Sequence, residues 1–370
     1  MLEDHLLYRV ALLLAATLVL MTVAVLARVR GARLTGPGHL VETPVSLAAL
    51  AGPIAAPSAA TLPFIDPAIE VMTLAVYRRA FGATNFNYSI LGEHRAVLER
   101  VRRELPAAAA RREYFPRKPM IVPRLLSALK NSDSALKEIV GIIMQDPVLT
   151  GDVLRYANSP LYRITREPVD SIGRAVTLLG VDGLRALIAT SVMQPVFQVP
   201  RGCFENFSAT VWRQAQHAAF AAQVCARSAG NCDSFSAHLL ALLFYMSHIV
   251  LFRMTAAGYV HAAGSLPRPE VFARLIDDCT EELAGRIATD WELPTPMITA
   301  LAEHAARSPL EKMSPLAHAL YFGRICGAAS VAGDDTLSEE AFLQLLQRKG
   351  LDRPRAEALW RAAGAVDAAA

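Results

Sequence analysis

Nine histidines stand in this chain, and the imidazole ring is the side chain best suited to hold a divalent metal or to move a proton near neutral pH. Four of them, His217, His238, His248 and His304, fall in stretches with helical periodicity within one region. Brought together with a carboxylate, such rings would hold a metal that generates hydroxide and polarises a phosphoryl oxygen. Their spacing argues against it, because no H-x-x-x-H pair joins them. Ligand identity and count are what a metal site requires, and a helical histidine is more often a surface group or a satisfied core group. No glycine-rich phosphate loop and no nucleophile elbow appears. The five cysteines are scattered, with no C-x-x-C pair, which points to reduced thiols and not to a disulfide frame or zinc knuckle. No cofactor is expected.

The elements that would position these residues read as helices. Asp146-Pro147 is a helix start, since the carboxylate can cap while proline at the first position has no N–H to waste. Asn158-Ser159 reads as the stop of that helix, its amide and hydroxyl spent on backbone groups, with a ligand or partner surface as the alternative role. Ser171 opens the next helix, Gly180 ends it as a C-cap, and Asp182 caps another. Trp212 begins a later helix, Trp291 and Pro294 fix the packing of the last core helices, Thr336-Leu-Ser-Glu339 is a capping box, and Asp352 caps a final helix that frays from Ala362. No window alternates as a strand would, so the fold class is all-α.

Hydrophobic residues make up 53% of the chain and charged ones 19%, an apolar balance that calls for a membrane segment. Val10–Ala27 is uncharged, and with Leu6, Leu7 and Tyr8 it approaches the roughly 20 residues needed to cross a hydrocarbon core. Glu3 and Asp4 precede it, and Arg28, Arg30 and Arg33 follow. That order disfavours a cleaved signal peptide and places the C-terminal body on the cytoplasmic side. A single-pass inner-membrane anchor at residues 6–29 is expected. The Pro/Ala-rich stretch Thr35–Pro67 reads as a linker, followed by helices at Ala68–Arg79 and Gly92–Leu105. The net charge of +3, without a basic stripe, excludes nucleic acid as an expected partner.

From Tyr114 the motifs identify a family. FPRKPMIVPRLL (Phe115–Leu126), IIMQDPVLTGDVLRYANSPLY (Ile142–Tyr162), SIGRAVTLLGVDGLRALI (Ser171–Ile188) and TDWELPTPMITALAEH (Thr289–His304) together resemble an HDOD domain over Tyr114–Ala329. The resemblance implies an all-helical bundle similar to HD-type phosphohydrolases, whose His-Asp pair and further histidines hold divalent metals. In this chain the matching run is Leu242-Leu243-Phe244-Tyr245-Met246-Ser247-His248. Phenylalanine cannot coordinate a metal, and a neutral tyrosine replaces a carboxylate poorly. A further histidine position falls near Gln214, with His217 one turn away.

The expected organisation is an anchor (1–30), a linker with accessory helices (31–113), an HDOD-like domain (114–330) and a helical extension (331–370). The expected function is a membrane-anchored, non-catalytic signalling module acting through protein partners. The alternatives are a phosphohydrolase with a rearranged histidine site and a plain scaffold for a membrane complex.

Overall fold

Capping side chains set most of the helix starts. Helix α1 (Pro67–Phe81) begins where the Asp66 carboxylate accepts from the Ala68 N–H. The computed structural model describes residues 66–83, 86, 89–110, 114, 122–123, 137, 140–141, 143–159, 167–199, 202–260, 265–333 and 337–364. The apolar run Val10–Ala27, the linker up to residue 65 and most of the motif Phe115–Leu126 lie outside these residues. Helix α2 (Glu93–Glu104) continues into a 3-10 turn at Leu105–Ala110. Helix α3 (Pro147–Ala157) starts on Asp146, which accepts from the N–H groups of Val148 and Leu149 at 2.9 and 3.1 Å.

Helix α4 (Ile172–Met193) is capped by Ser171 and leads into a 3-10 turn at Gln194–Phe197. It refines one expectation and corrects another. Gly180 ends the first helical stretch, as expected, but not as a left-handed C-cap: its φ of 70° is paired with a ψ of −179°, non-helical values that kink the chain before a second stretch runs to Met193. A side chain at that φ would be strained, so glycine makes the bend possible. Asp182 does not cap the second half. Its carboxylate accepts instead from Arg185 and from the Ser234 hydroxyl, because a charged donor and a hydroxyl reach it first.

Helix α5 (Phe207–Ala229) starts five residues before Trp212, which lies in its second turn. Helix α6 (Ser234–Val260) is apolar around its whole circumference, the pattern of a helix surrounded by protein. Its N-terminus is held by Asp233, which accepts from the Ser236 N–H at 2.7 Å. Helices α7 (Pro269–Asp290), α8 (Thr295–Ala305), α9 (Pro315–Ala332), α10 (Glu339–Arg348) and α11 (Arg353–Gly364) follow. The cap of α10 is Ser338, whose hydroxyl accepts from the Ala341 N–H; Thr336 of the expected capping box lies outside the described residues. Asp352 caps α11 through the Arg355 N–H, and that helix runs to Gly364, past the expected fraying point. Among the described residues there is no strand.

Helix α6 is the axis of the core, with α2, α4, α5, α7 and α9 packed around it. The closest approach is between α5 and α9. A Cβ added to Gly323 would lie 2.6 Å from the Ala218 carbonyl oxygen, and one on Gly327 would lie 2.7 Å from that of Gln214. Two glycines one turn apart thus let the backbones of α5 and α9 touch, which fixes the position of every α9 side chain relative to α5 and α6. A second apolar cluster joins α1, α9, α10 and α11 through Met72, Val76, Phe322, Phe342, Leu346 and Leu359. Helix α1 also enters the main core, where Phe81 stacks on Phe207 at 5.3 Å and meets Phe204 edge-on at 5.0 Å. A fully buried phenylalanine contributes about 1.5–3 kcal/mol, so α1 is part of the packed body.

Candidate functional site

The positions that the motif comparison singles out as altered meet in one place, at the contact of α5, α6, α7, α8 and α9. From α6, Phe244 and Tyr245 are both buried, and the rings of Phe244, Tyr245 and His248 cluster with centroids 5.0–5.7 Å apart. From α5 comes Gln214, and the Tyr245 hydroxyl, whose pKa burial pushes up, stays neutral. From α8 comes His304. From α9 and α7 come two residues that no motif flags: Arg324 and Glu281.

Arg324 organises the cluster. Its guanidinium carbon lies 4.3 Å from the centre of the Phe244 ring, a cation–π placement. One nitrogen pairs with Glu281 Oε1 at 3.2 Å and another donates to His304 Nδ1 at 3.3 Å. Arginine has no acceptor, so His304 Nδ1 must present its lone pair to it. The other ring nitrogen, Nε2, donates to the Ala317 carbonyl at 3.0 Å. A backbone carbonyl on one imidazole nitrogen is the arrangement that orients a metal-ligating histidine, but here the exposed lone pair meets a guanidinium. Burial first, then Arg324, push the His304 pKa down to about 3, and the same two causes hold His248 at about 3. Both rings are neutral at physiological pH.

The four candidate histidines do not converge. His248 and His304 flank Arg324, whereas His238 is buried elsewhere, its Nε2 hydrogen-bonded to Thr190 Oγ1 at 3.0 Å. His217 is fully buried on α5 near the backbone of Ala363 in α11, its pKa lowered to about 3 by burial and by Arg213. Among the described residues no three His, Cys, Asp or Glu side chains gather in a metal-holding arrangement.

The remaining motif residues act on backbone. Asn158 is saturated: its amide donates to the carbonyls of Leu154 and Val169, and its oxygen accepts from the Val169 N–H. Ser159 donates to the Tyr156 carbonyl. The helix-stop reading of this pair therefore accounts for every polar atom of the asparagine. Trp291, 1% exposed, ends α7 with its N–H on the Ile287 carbonyl, and Pro294 precedes the first turn of α8. Between them Glu292 takes a φ of 52°, a strained value outside glycine that turns the chain back so α8 lies along α7. That corner delivers His304 to Arg324. Along the same pair of helices runs an open groove of about 580 Å³, lined by Glu281, Glu282, Gly285, Ile298 and Leu301.

Comparison with known proteins supplies the family. The HDOD domain family matches residues 115–307. The chain belongs to the HDOD family. An uncharacterized protein of Treponema pallidum (strain Nichols) is 26% identical over 209 residues, 53% of this chain and 38% of its own length, so the chain spans well under half of that relative. A proposed metal-dependent phosphohydrolase of Shewanella amazonensis SB2B superposes with a TM-score of 0.55 at 18% identity, over 75% of this chain and 99% of the other. That likeness shows the fold. An HDOD domain protein of unknown function from Geobacter sulfurreducens is 21% identical over 71% of this chain and 89% of its own, with a TM-score of 0.46. Sequence reasoning missed Glu281 and also Arg324, which lies beyond the matched residues 115–307, because neither lies in a motif. The signal that could have found them is an arginine inside an otherwise apolar helix, Pro315–Ala332.

Proposed function

We propose that this HDOD domain is a non-catalytic module of a signalling assembly, working through protein contacts. The observation that supports this reading is the His304 Nδ1 lone pair, directed at Arg324 where a metalloenzyme would direct it at a metal. A guanidinium supplies fixed positive charge but cannot bind and ionise a water. Phe244 and Tyr245 add no ligand, and the role in signalling is what the HDOD resemblance implies. Residues 6–29 would hold the domain at the inner face of a bacterial inner membrane, an arrangement supported by hydrophobic length and the arginines that follow.

Metal analysis of the purified full chain tests the catalytic half of the reading. We expect substoichiometric manganese, iron and zinc, and no turnover of phosphate mono- or diesters. Stoichiometric metal that disappears in His304→Ala, together with turnover, would establish the phosphohydrolase instead. Fractionation of cells carrying the chain with and without residues 1–30 tests the anchor. Equal recovery of both forms in the soluble fraction would refute it.

A further inference from the structure

We propose that Arg324 is the centre of a receptor for a phosphate-type dianion, and that Glu281 is the internal occupant which such a ligand displaces. The inference rests on the reading of this site as one organised by arginine and not by a metal.

The donors come first. A guanidinium carries five N–H groups in a planar fork that matches phosphate oxygens. The partners of Arg324 among the described residues are His304 Nδ1 and Glu281 Oε1. Its side chain is 34% exposed, so the fork has an open edge. Phe244 beneath it and His304 beside it fix its direction.

The second observation is His248. Its side chain is more than nine-tenths buried, and neither ring nitrogen makes a hydrogen bond to the described residues. Arg324 acts on it electrostatically, and both groups lie against the Phe244 ring. The His248 ring nitrogens are not among the polar atoms sealed from solvent, so an N–H there stays within reach of an acceptor from outside. Arg324, all donor, cannot supply one. An oxyanion placed between the two would accept from both and satisfy each.

Glu281 then decides which oxyanion. Its carboxylate already holds the fork, so another monoanionic carboxylate gains nothing over a tethered one. A phosphate monoester carries a charge of about −1.5 to −2 and three strong acceptor oxygens, enough to compete. Glu281 has somewhere to go, since it also lines the open groove between α7 and α8.

Calorimetric titration of the full chain tests this, with inorganic phosphate, O-phosphoserine and acetate as separate probes at constant ionic strength. Phosphate or phosphoserine is expected to bind saturably and acetate not to bind. The tighter of the two says whether the ligand is the free ion or an ester. Glu281→Gln should tighten binding by about tenfold, Arg324→Lys should weaken it by losing the fork, and Arg324→Met should abolish it. Urea unfolding of each variant separates lost binding from lost fold. Absence of saturable binding in Glu281→Gln, or binding that survives in a folded Arg324→Met protein, would overturn the proposal. Metal content measured on the same samples distinguishes this failure from failure of the metal-free reading: stoichiometric metal defeats both, whereas metal-free protein that ignores phosphate defeats only this one.

Discussion

Two arginines in this fold sit over phenylalanine rings and face carboxylates, yet their surroundings differ. Arg185 lies 4.1 Å from the centre of the Phe235 ring, 3.0 Å from Asp182 and 3.9 Å from Asp233, and it is 1% exposed. Arg324 lies 4.3 Å from the Phe244 ring and 3.2 Å from Glu281, and a third of it is open. Burial lowers the pKa of Arg185, while Asp233 and Asp182 oppose the shift. Asp182 also accepts from Ser234, and Asp233 caps α6. Arg185 is therefore a closed staple between α4 and α6. Arg324 draws its partners from α6, α7 and α8 and keeps an edge for something else. The same chemistry holds the fold together in one place and remains addressable in the other.

The largest expected effect separates the two directly. Arg185 is sealed in the core and ties two carboxylates and the Phe235 ring together, so Arg185→Met should shift the urea midpoint more than Arg324→Met. For the partly exposed Arg324 pair a loss of about 1 kcal/mol is expected. Equal losses would erase the distinction between staple and open site.

Gly323 comes next, because it sits one residue before Arg324 on the face of α9 that touches α5. Gly323→Ala forces a methyl against the Ala218 carbonyl and should cost about 1–3 kcal/mol. It should also impair phosphate binding by moving Arg324, and leave the Arg185 staple intact. A variant of unchanged stability and binding would show that the contact of α5 with α9 is not what positions the arginine.

Acid should destabilise the Arg324 site. His304 is held at about 3 in the folded protein, against an ordinary value near 6.5. The unfolded chain therefore binds the proton more readily, and stability falls as pH drops from about 6.5 toward 3. Each such histidine adds a slope of up to about 1.4 kcal/mol per pH unit, and His217, His238 and His248 share the direction. His304→Asn, which has no proton to gain in this range, should flatten the pH dependence of the urea midpoint by about one such increment. An unchanged slope would mean that His304 is not neutral in the fold. Glu281→Gln is expected to have the smallest effect on stability, under about 1 kcal/mol, despite its large effect on binding.

Much of the fold was legible in local pattern. Asp146-Pro147, Ser171 and Asp352 start helices as their side chains dictate, since a cap involves only a few neighbouring residues. Asn158 stops one in the same way. Where a second group competes, the local reading fails. Asp182, expected as a cap, gives its carboxylate to Arg185 and Ser234. The substituted metal positions were visible as Gln214, Phe244 and Tyr245. What replaces their chemistry was not, because Glu281 and Arg324 come from separate helices and meet only when α7, α8 and α9 are packed.

The sequence by itself determined the helical class, the family and the residue types at the altered site, since each is written in short motifs and in a period of 3.6 residues. It did not determine the surroundings of an apolar helix. Val10–Ala27 and Ser234–Val260 both have the composition of a membrane span, yet α6 is enclosed by other helices throughout its most apolar window. Hydropathy records that a segment avoids water, and only the tertiary structure decides what replaces the water. The same holds for His304: its identity is in the sequence, but whether its lone pair meets a metal or a guanidinium depends on which helix the fold lays beside it.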